Sequence, residues 1–151
     1  MIVSEIIESL NKRPDIAAIR VSNLEPLSNE EQQIFRQYLP EQTLIVYGTL
    51  APGKPNHDKL AHVSGVWESG TVKGKLESKG CGATWGFDGF KPVKAPEQST
   101  EIPVHVLRSP MLIENWAALD DFEGTGYKRI LAPYTLHHGV MGVGYIYAVN
   151  D

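Results

Sequence analysis

Apolar residues in the first part of the chain recur at the spacing of an amphipathic helix. Val3, Ile6, Ile7 and Leu10 fall at i, i+3, i+4 and i+7, with Ser4 a candidate N-cap. Ser28 and Glu31 fit a capping box, and Ile34, Phe35 and Tyr38 form an apolar stripe behind it. Pro40 ends that helix, while Asp15–Val21 suits either helix or strand. The pattern predicts a mostly helical N-terminal extension over residues 1–42. Beyond Pro40 the period shortens. Leu44-Ile45-Val46-Tyr47 is a β-rich run stopping at Gly48, and 51–56 is turn-rich. Val66–Leu76 reads as one or two strands interrupted by Gly70, 78–89 as loop, and Ile102–Leu107 as a strand. Ser109-Pro110 marks a helix start, with Ser as N-cap and Pro at the first helical position. Leu112, Ile113, Trp116 and Leu119 give that helix one apolar face, and Gly124 ends it. Tyr127–Leu136 and Val140–Val149 form a closing hairpin around His137-His138-Gly139. The strict alternation of Met141, Val143, Tyr145, Tyr147 and Val149 predicts a strand burying one face.

Composition narrows the class. The chain has 151 residues, of which 42% are hydrophobic and 21% charged, as expected for one ordinary globular domain. Fourteen Lys and Arg against 18 Asp and Glu give a net charge of −4, which argues against a surface built to grip nucleic acid. No apolar run approaches the roughly 20 residues that span a bilayer. The single cysteine, Cys81, cannot form an internal disulfide. Met1–Leu10 carries Glu5 and Glu8 and has no basic n-region, so it does not read as a signal peptide. The expectation is a cytoplasmic protein without membrane or nucleic-acid partners.

Two segments carry candidate chemistry. In Val46-Tyr47-Gly48-Thr49-Leu50 a buried strand ends in Gly and a hydroxyl residue. Such an exit either turns several backbone N–H groups toward one point, a nest for a carboxylate or oxyanion, or is simply a tight turn. In Leu119-Asp120-Asp121-Phe122-Glu123-Gly124 three acids sit at a helix C-terminus, where the helix dipole disfavours negative charge. They form either a solvated acidic end or a functional one. Glu123, next to the helix-ending Gly, is placed to project into a cleft, where burial would raise its pKa toward neutrality and suit it to proton transfer.

Together these segments resemble the γ-glutamyl cyclotransferase superfamily, which pairs a Tyr-Gly-Ser-Leu type loop with a later Asp-x-x-Glu-Gly segment and a Tyr-x-Arg. The matches are Tyr47-Gly48-Thr49-Leu50, Asp120-Asp121-Phe122-Glu123-Gly124 and Tyr127-Lys128-Arg129. Between them, Gly53-Lys54-Pro55-Asn56-His57 is similar to a Gly-x-x-Asn-His stretch, and Val72-Lys73-Gly74-Lys75-Leu76 to a Gly-x-Leu strand. Thr49 replaces the more usual Ser. The resemblance implies an α/β (α+β) domain over 43–151, with a mixed, barrel-like sheet and a few packed helices. It also implies cleavage of a γ-glutamyl amide by its own α-amine, giving 5-oxoproline and a free amine. Glu123 would be the general base and acid. Backbone amides of Gly48, Thr49 and Leu50 would hold the γ-glutamyl group, Tyr47 would shape the pocket and Tyr127 line it. Arg129 would be structural or a neighbour of Asp120 and Asp121, with Gly124-Thr125-Gly126 a flexible link. No cofactor is implied. The extension packs on this domain or mediates an interface, such as that of a homodimer.

The remaining candidates read as structural. His57, His62 and the adjacent His137 and His138 lack a carboxylate or Cys at ligand spacing, so no metal site is expected, and His57 braces its loop. Cys81 among glycines reads as inert, and Trp67, Trp85 and Trp116 as core or pocket wall. A non-catalytic binding module with the same pocket is the alternative to an enzyme; the carboxylate at Glu123 favours the enzyme. An interaction protein working through the extension is a third reading.

Overall fold

The computed structural model describes residues 2–48, 52–53, 57–77, 89–92 and 100–150. Among these residues three helices, α1 (Val3–Asn11), α2 (Asn29–Tyr38) and α3 (Leu112–Glu123), accompany six strands. These are β1 (Thr43–Val46), β2 (Val66–Glu77), β3 (Gly89–Lys91), β4 (Thr100–Arg108), β5 (Tyr127–Leu136) and β6 (Met141–Val149). Short 3-10 turns occupy Ile16–Ala18, Pro40–Gln42 and His57–Leu60, so the ambiguous stretch after Asp15 is neither a regular helix nor a strand.

Helix starts follow local hydrogen bonding more closely than apolar spacing. The N–H groups of Glu5 and Ile6 bond the carbonyl of Ile2, which makes Ile2 the N-cap of α1 and leaves Ser4 inside the helix. In α2 the predicted box forms: Ser28 Oγ accepts from Glu31 N–H at 3.2 Å, and Glu31 Oε1 accepts from Ser28 N–H at 2.9 Å. Leu39, at φ 48°, reverses the chain after α2 ahead of Pro40. α3 starts at Leu112, later than Ser109-Pro110 suggests. The Ser109 hydroxyl is used elsewhere, donating to the Ser64 carbonyl while accepting from Met111 N–H, so it pins a preliminary turn instead of capping the helix. Leu112, Trp116 and Leu119 are buried as expected, whereas Ile113 is 38% exposed. Gly124, at φ 75°, ends α3 as predicted.

The strands close into a barrel. β1 runs antiparallel to β4 and parallel to β6; β2 pairs antiparallel with β4 and β5; β5 and β6 form the hairpin. The ring β1–β4–β2–β5–β6 is therefore continuous, and β3 bridges the far half of β2 to β6. Gly70 does not interrupt β2: it is the point at which β5 approaches, and a Cβ there would lie 2.5 Å from the Thr135 carbonyl oxygen.

Two apolar clusters result. One draws on all six strands, among them Ile45, Val72, Phe90, Val106, Ile130 and Ile146, and fills the barrel. The other lies outside it, where Leu10, Phe35, Leu44, Leu107, Trp116 and Tyr145 join helices to strands. β6 consequently buries both faces rather than one, with Tyr145 and Tyr147 toward the helices and Ile146 and Ala148 inward, while Met141 is exposed. No helix among the described residues is long and apolar enough to cross a membrane.

Candidate functional site

The exit of β1 and the end of α3 come together. Tyr47 follows β1 directly, its ring against the inner cluster and 6.1 Å from that of Phe90. Its hydroxyl donates to the Tyr147 carbonyl at 2.6 Å and accepts from Phe90 N–H at 2.8 Å. Burial pushes the phenol well above its ordinary pKa, the bond from Phe90 N–H opposes this, and the charges of Glu123 and Tyr127 add to the rise. Tyr147 joins the two elements, its carbonyl on Tyr47 and its hydroxyl on Asp120 of α3. Gly48 makes a bend, and a Cβ there would meet nothing within 4 Å among the described residues. Thr49 and Leu50, the other two expected donors, lie outside the described residues. So do 54–56 of the Gly-x-x-Asn-His stretch, and the segment 78–88 that contains Cys81 and Trp85.

Glu123 is the last residue of α3 and is half-buried. Burial, and secondarily the Asp120 carboxylate one turn earlier, raise its pKa from 4.5 to about 7. This is the physical expectation for a partly buried carboxylate at a helix C-terminus. The group therefore changes protonation near neutrality, as a residue that both accepts and returns a proton must. Its chain direction is fixed: Gly124 N–H bonds the Asp120 carbonyl, and Asn150 bonds both Gly126 through its N–H (2.9 Å) and Thr125 through its side chain (3.1 Å). The 124–126 link, expected to be flexible, is pinned by these bonds. Tyr127, the first residue of β5, is half-buried against the outer cluster.

Behind Glu123 lies a polar network. Asp120 Oδ1 accepts from Arg129 Nε at 2.9 Å and from the Tyr147 hydroxyl at 2.6 Å, and Oδ2 accepts from Arg129 Nη2 at 3.2 Å. Burial and the bond to Asp120 hold the Tyr147 phenol far above its usual pKa. Arg129 thus pairs with Asp120, while Asp121 is exposed. Tyr147 is a member that apolar alternation hides, since its ring satisfies the core pattern while its hydroxyl serves Asp120. A Tyr in a buried strand calls for a hydrogen-bond partner, and that is the signal that reveals it.

The sheet also brings a carboxylate to the paired histidines. Glu68 on β2 faces His137 and His138 at the hairpin turn, with one ligand atom from each within 4.8 Å of the others. Linear spacing cannot show this grouping. Glu68 is engaged on both oxygens, by Arg108 and by His138 Nε2 at 2.8 Å, and so ties the turn to β2 and β4. His57 packs its ring 5.3 Å from that of Trp67, and His62 Nε2 lies 2.7 Å from Asn115 Oδ1 on α3.

With this geometry in hand, known proteins place the chain. The model of the family described as gamma-glutamyl cyclotransferase, AIG2-like, matches residues 44–151. No curated protein sequence matches the chain. Among solved structures, YkqA from Bacillus subtilis superposes with a TM-score of 0.50 at 22% identity, over 72% of this chain but only 36% of its own. A uropathogenic E. coli-specific protein, c4763, gives 0.51 at 20% identity, over 70% of this chain and 78% of its own. An AIG2-like protein from Mus musculus gives 0.50 at 18% identity, over 72% and 76%. These likenesses establish a shared fold: mixed α+β with a closed, barrel-like sheet. By its sequence over more than two-thirds of its length, the chain belongs to the gamma-glutamyl cyclotransferase, AIG2-like family.

Proposed function

We propose that this protein cleaves a γ-glutamyl amide to 5-oxoproline and a free amine, with Glu123 as the proton shuttle. The observation that carries the reading is a half-buried carboxyl, poised at about 7, beside the exit of β1 in a chain of this family. The Glu123 carboxylate takes a proton from the substrate α-ammonium. The freed amine attacks the γ-carbonyl carbon, closing the five-membered ring. Collapse of the tetrahedral intermediate breaks the bond to the leaving nitrogen, which receives the proton back from the Glu123 carboxyl; the ring nitrogen gives up its second proton through the same carboxylate to the departing amine, which leaves as its ammonium. The nucleophile belongs to the substrate, so the protein's task is to fold it into an attack geometry and move protons. Backbone N–H groups of Gly48, Thr49 and Leu50 hold the γ-glutamyl group and its developing oxyanion, Tyr47 walls the pocket, and Tyr127 lines it. The substrate is a small γ-glutamyl compound, and no step calls for a cofactor.

The test is a screen for 5-oxoproline release across glutathione, γ-glutamylamines, γ-glutamyl peptides and γ-glutamyl-lysine isopeptides. Release from at least one class is expected, with a rate that rises with pH through about 7 as Glu123 ionises. No release across the panel, together with saturable binding of a γ-glutamyl compound, would turn the assignment to a binding module.

A further inference from the structure

The residues that set the environment of Glu123 extend into the part of the chain that precedes the family match. We propose that Asp120 is a positioning residue for Glu123, held in place by Arg129, which the N-terminal segment around Ile16–Val21 seals from water. The inference rests on Glu123 being the working carboxyl, and it concerns what controls that group.

Asp120 and Glu123 are three residues apart on α3 and so share a face. Asp120 is fixed by three donated hydrogen bonds, two from Arg129 and one from Tyr147. Arg129 is buried, at 5% exposure, and its guanidinium lies 4.3 Å from the Trp116 ring centroid and 4.6 Å from that of Tyr145. Its Nη1 has no hydrogen-bond partner among the described residues, so the aromatic slot and Asp120 hold it. A buried cation requires a paired anion, and Asp120 supplies it to Arg129 at 2.9 Å.

The cover over Arg129 is N-terminal. Arg129 Nη2 also donates to the Ala17 carbonyl at 3.0 Å, and the Tyr145 hydroxyl donates to the Ile16 carbonyl at 2.9 Å. Trp116 Nε1 donates to the Glu41 carbonyl at 2.8 Å, while Glu41 Oε1 accepts from Val21 N–H at 2.7 Å and Arg20 lies 3.9 Å from its other oxygen. Every wall of the Arg129 slot is thus tied to residues 16–21 or to the Glu41 that anchors them. The Asp120 charge acts on Glu123 from its own helix, and the Glu123 charge in turn reaches Tyr47 after β1 and Tyr147 on β6. Asp121 is exposed, and Lys59 lies 5.5 Å over the neighbouring Phe122 ring.

The experiment follows the Glu123 carboxyl directly by carbon NMR of the full chain labelled at glutamate, the signal being assigned by its loss in Glu123→Gln. Asp120→Asn removes the adjacent negative charge and should lower the Glu123 midpoint by about one pH unit or more. Asp120→Glu keeps the charge and should restore most of it. Tyr145→Phe frees the Ile16 carbonyl while leaving a ring over Arg129, so water reaches Arg129 and the midpoint should fall by a smaller amount. Where 5-oxoproline release is measurable, the inflection of its pH profile should move with the NMR midpoint while KM stays nearly constant. An unchanged midpoint in a folded Asp120→Asn protein overturns the role of Asp120. Should that variant fail to fold, a Glu123 midpoint in the parent chain near the ordinary carboxylate value overturns the proposal, since no perturbation is then left for Asp120 to cause. An unchanged midpoint in Tyr145→Phe alone overturns the N-terminal part. The titration needs no substrate, so these outcomes stand apart from whether the protein turns over a γ-glutamyl amide.

Discussion

Glu123 sits where a carboxylate is least comfortable, at a helix C-terminus, partly withdrawn from water and one turn from another acid. That discomfort has a measurable signature in stability. In the unfolded chain the group titrates near its ordinary 4.5, and in the folded protein near 7. The native state therefore binds the proton more tightly, and this residue's contribution to stability falls as pH rises across that window. Below the window both states are protonated and no cost arises; above it the full cost applies. Glu123→Gln removes the cost, so thermal melts should show the variant matching the parent at pH 4 and exceeding it at pH 8, by up to ~3 kcal/mol. Equal melting temperatures at both values would mean that Glu123 is not perturbed. Much of this was legible beforehand, because the Asp-x-x-Glu-Gly spacing and the helix-ending Gly single out Glu123 without coordinates. The hairpin around His137-His138-Gly139 was legible too, and it is what makes Arg129 and Tyr147 cross-strand partners. What stayed hidden was the destination of each polar tip, as in the Tyr147 hydroxyl on Asp120 and Glu68 on the paired histidines. These depend on how separate elements meet.

Elements defined by their own side-chain hydrogen bonds matched expectation; those whose bonds were diverted did not. The Ser28–Glu31 box closes on itself within four residues, so nothing distant competes for it. Ser28→Ala should cost about 1 kcal/mol in chemical denaturation, the usual worth of an N-cap, and an unchanged midpoint would show that packing alone fixes α2. Ser109 had the right neighbours to cap α3, but Ser64 claims its hydroxyl across the fold. Gly70 looked like a break in β2 because a glycine in a strand lacks a side chain to pack, and it proved to be a contact point for β5. β6 alternated correctly yet buries both faces. The period identifies a strand; only closure of the sheet around it turns the second face inward.

At the scale of the molecule, the helical residues before β1 and the closed sheet share one apolar cluster. Leu10 and Phe35 are fully buried in it beside Leu44, Trp116 and Tyr145, and Asn11 clamps β5 with two 2.9 Å bonds to the Leu131 backbone. Amphipathic spacing showed that the N-terminal helices had a face to bury, but not against which strands. Leu10→Ala should lower stability by about 2–5 kcal/mol and should do so in a single unfolding transition reported alike by far-ultraviolet and tryptophan signals. Two separated transitions would mean that the N-terminal helices and the barrel fold independently. In the proposed reaction this assembled carboxyl moves the protons of an intramolecular cyclisation. The most direct test compares 5-oxoproline release by the parent and by Glu123→Gln, at pH 8, on whichever γ-glutamyl compound the screen identifies. A fall of roughly 100-fold or more, with substrate still bound, is the predicted result; a Glu123→Gln protein as fast as the parent would contradict it.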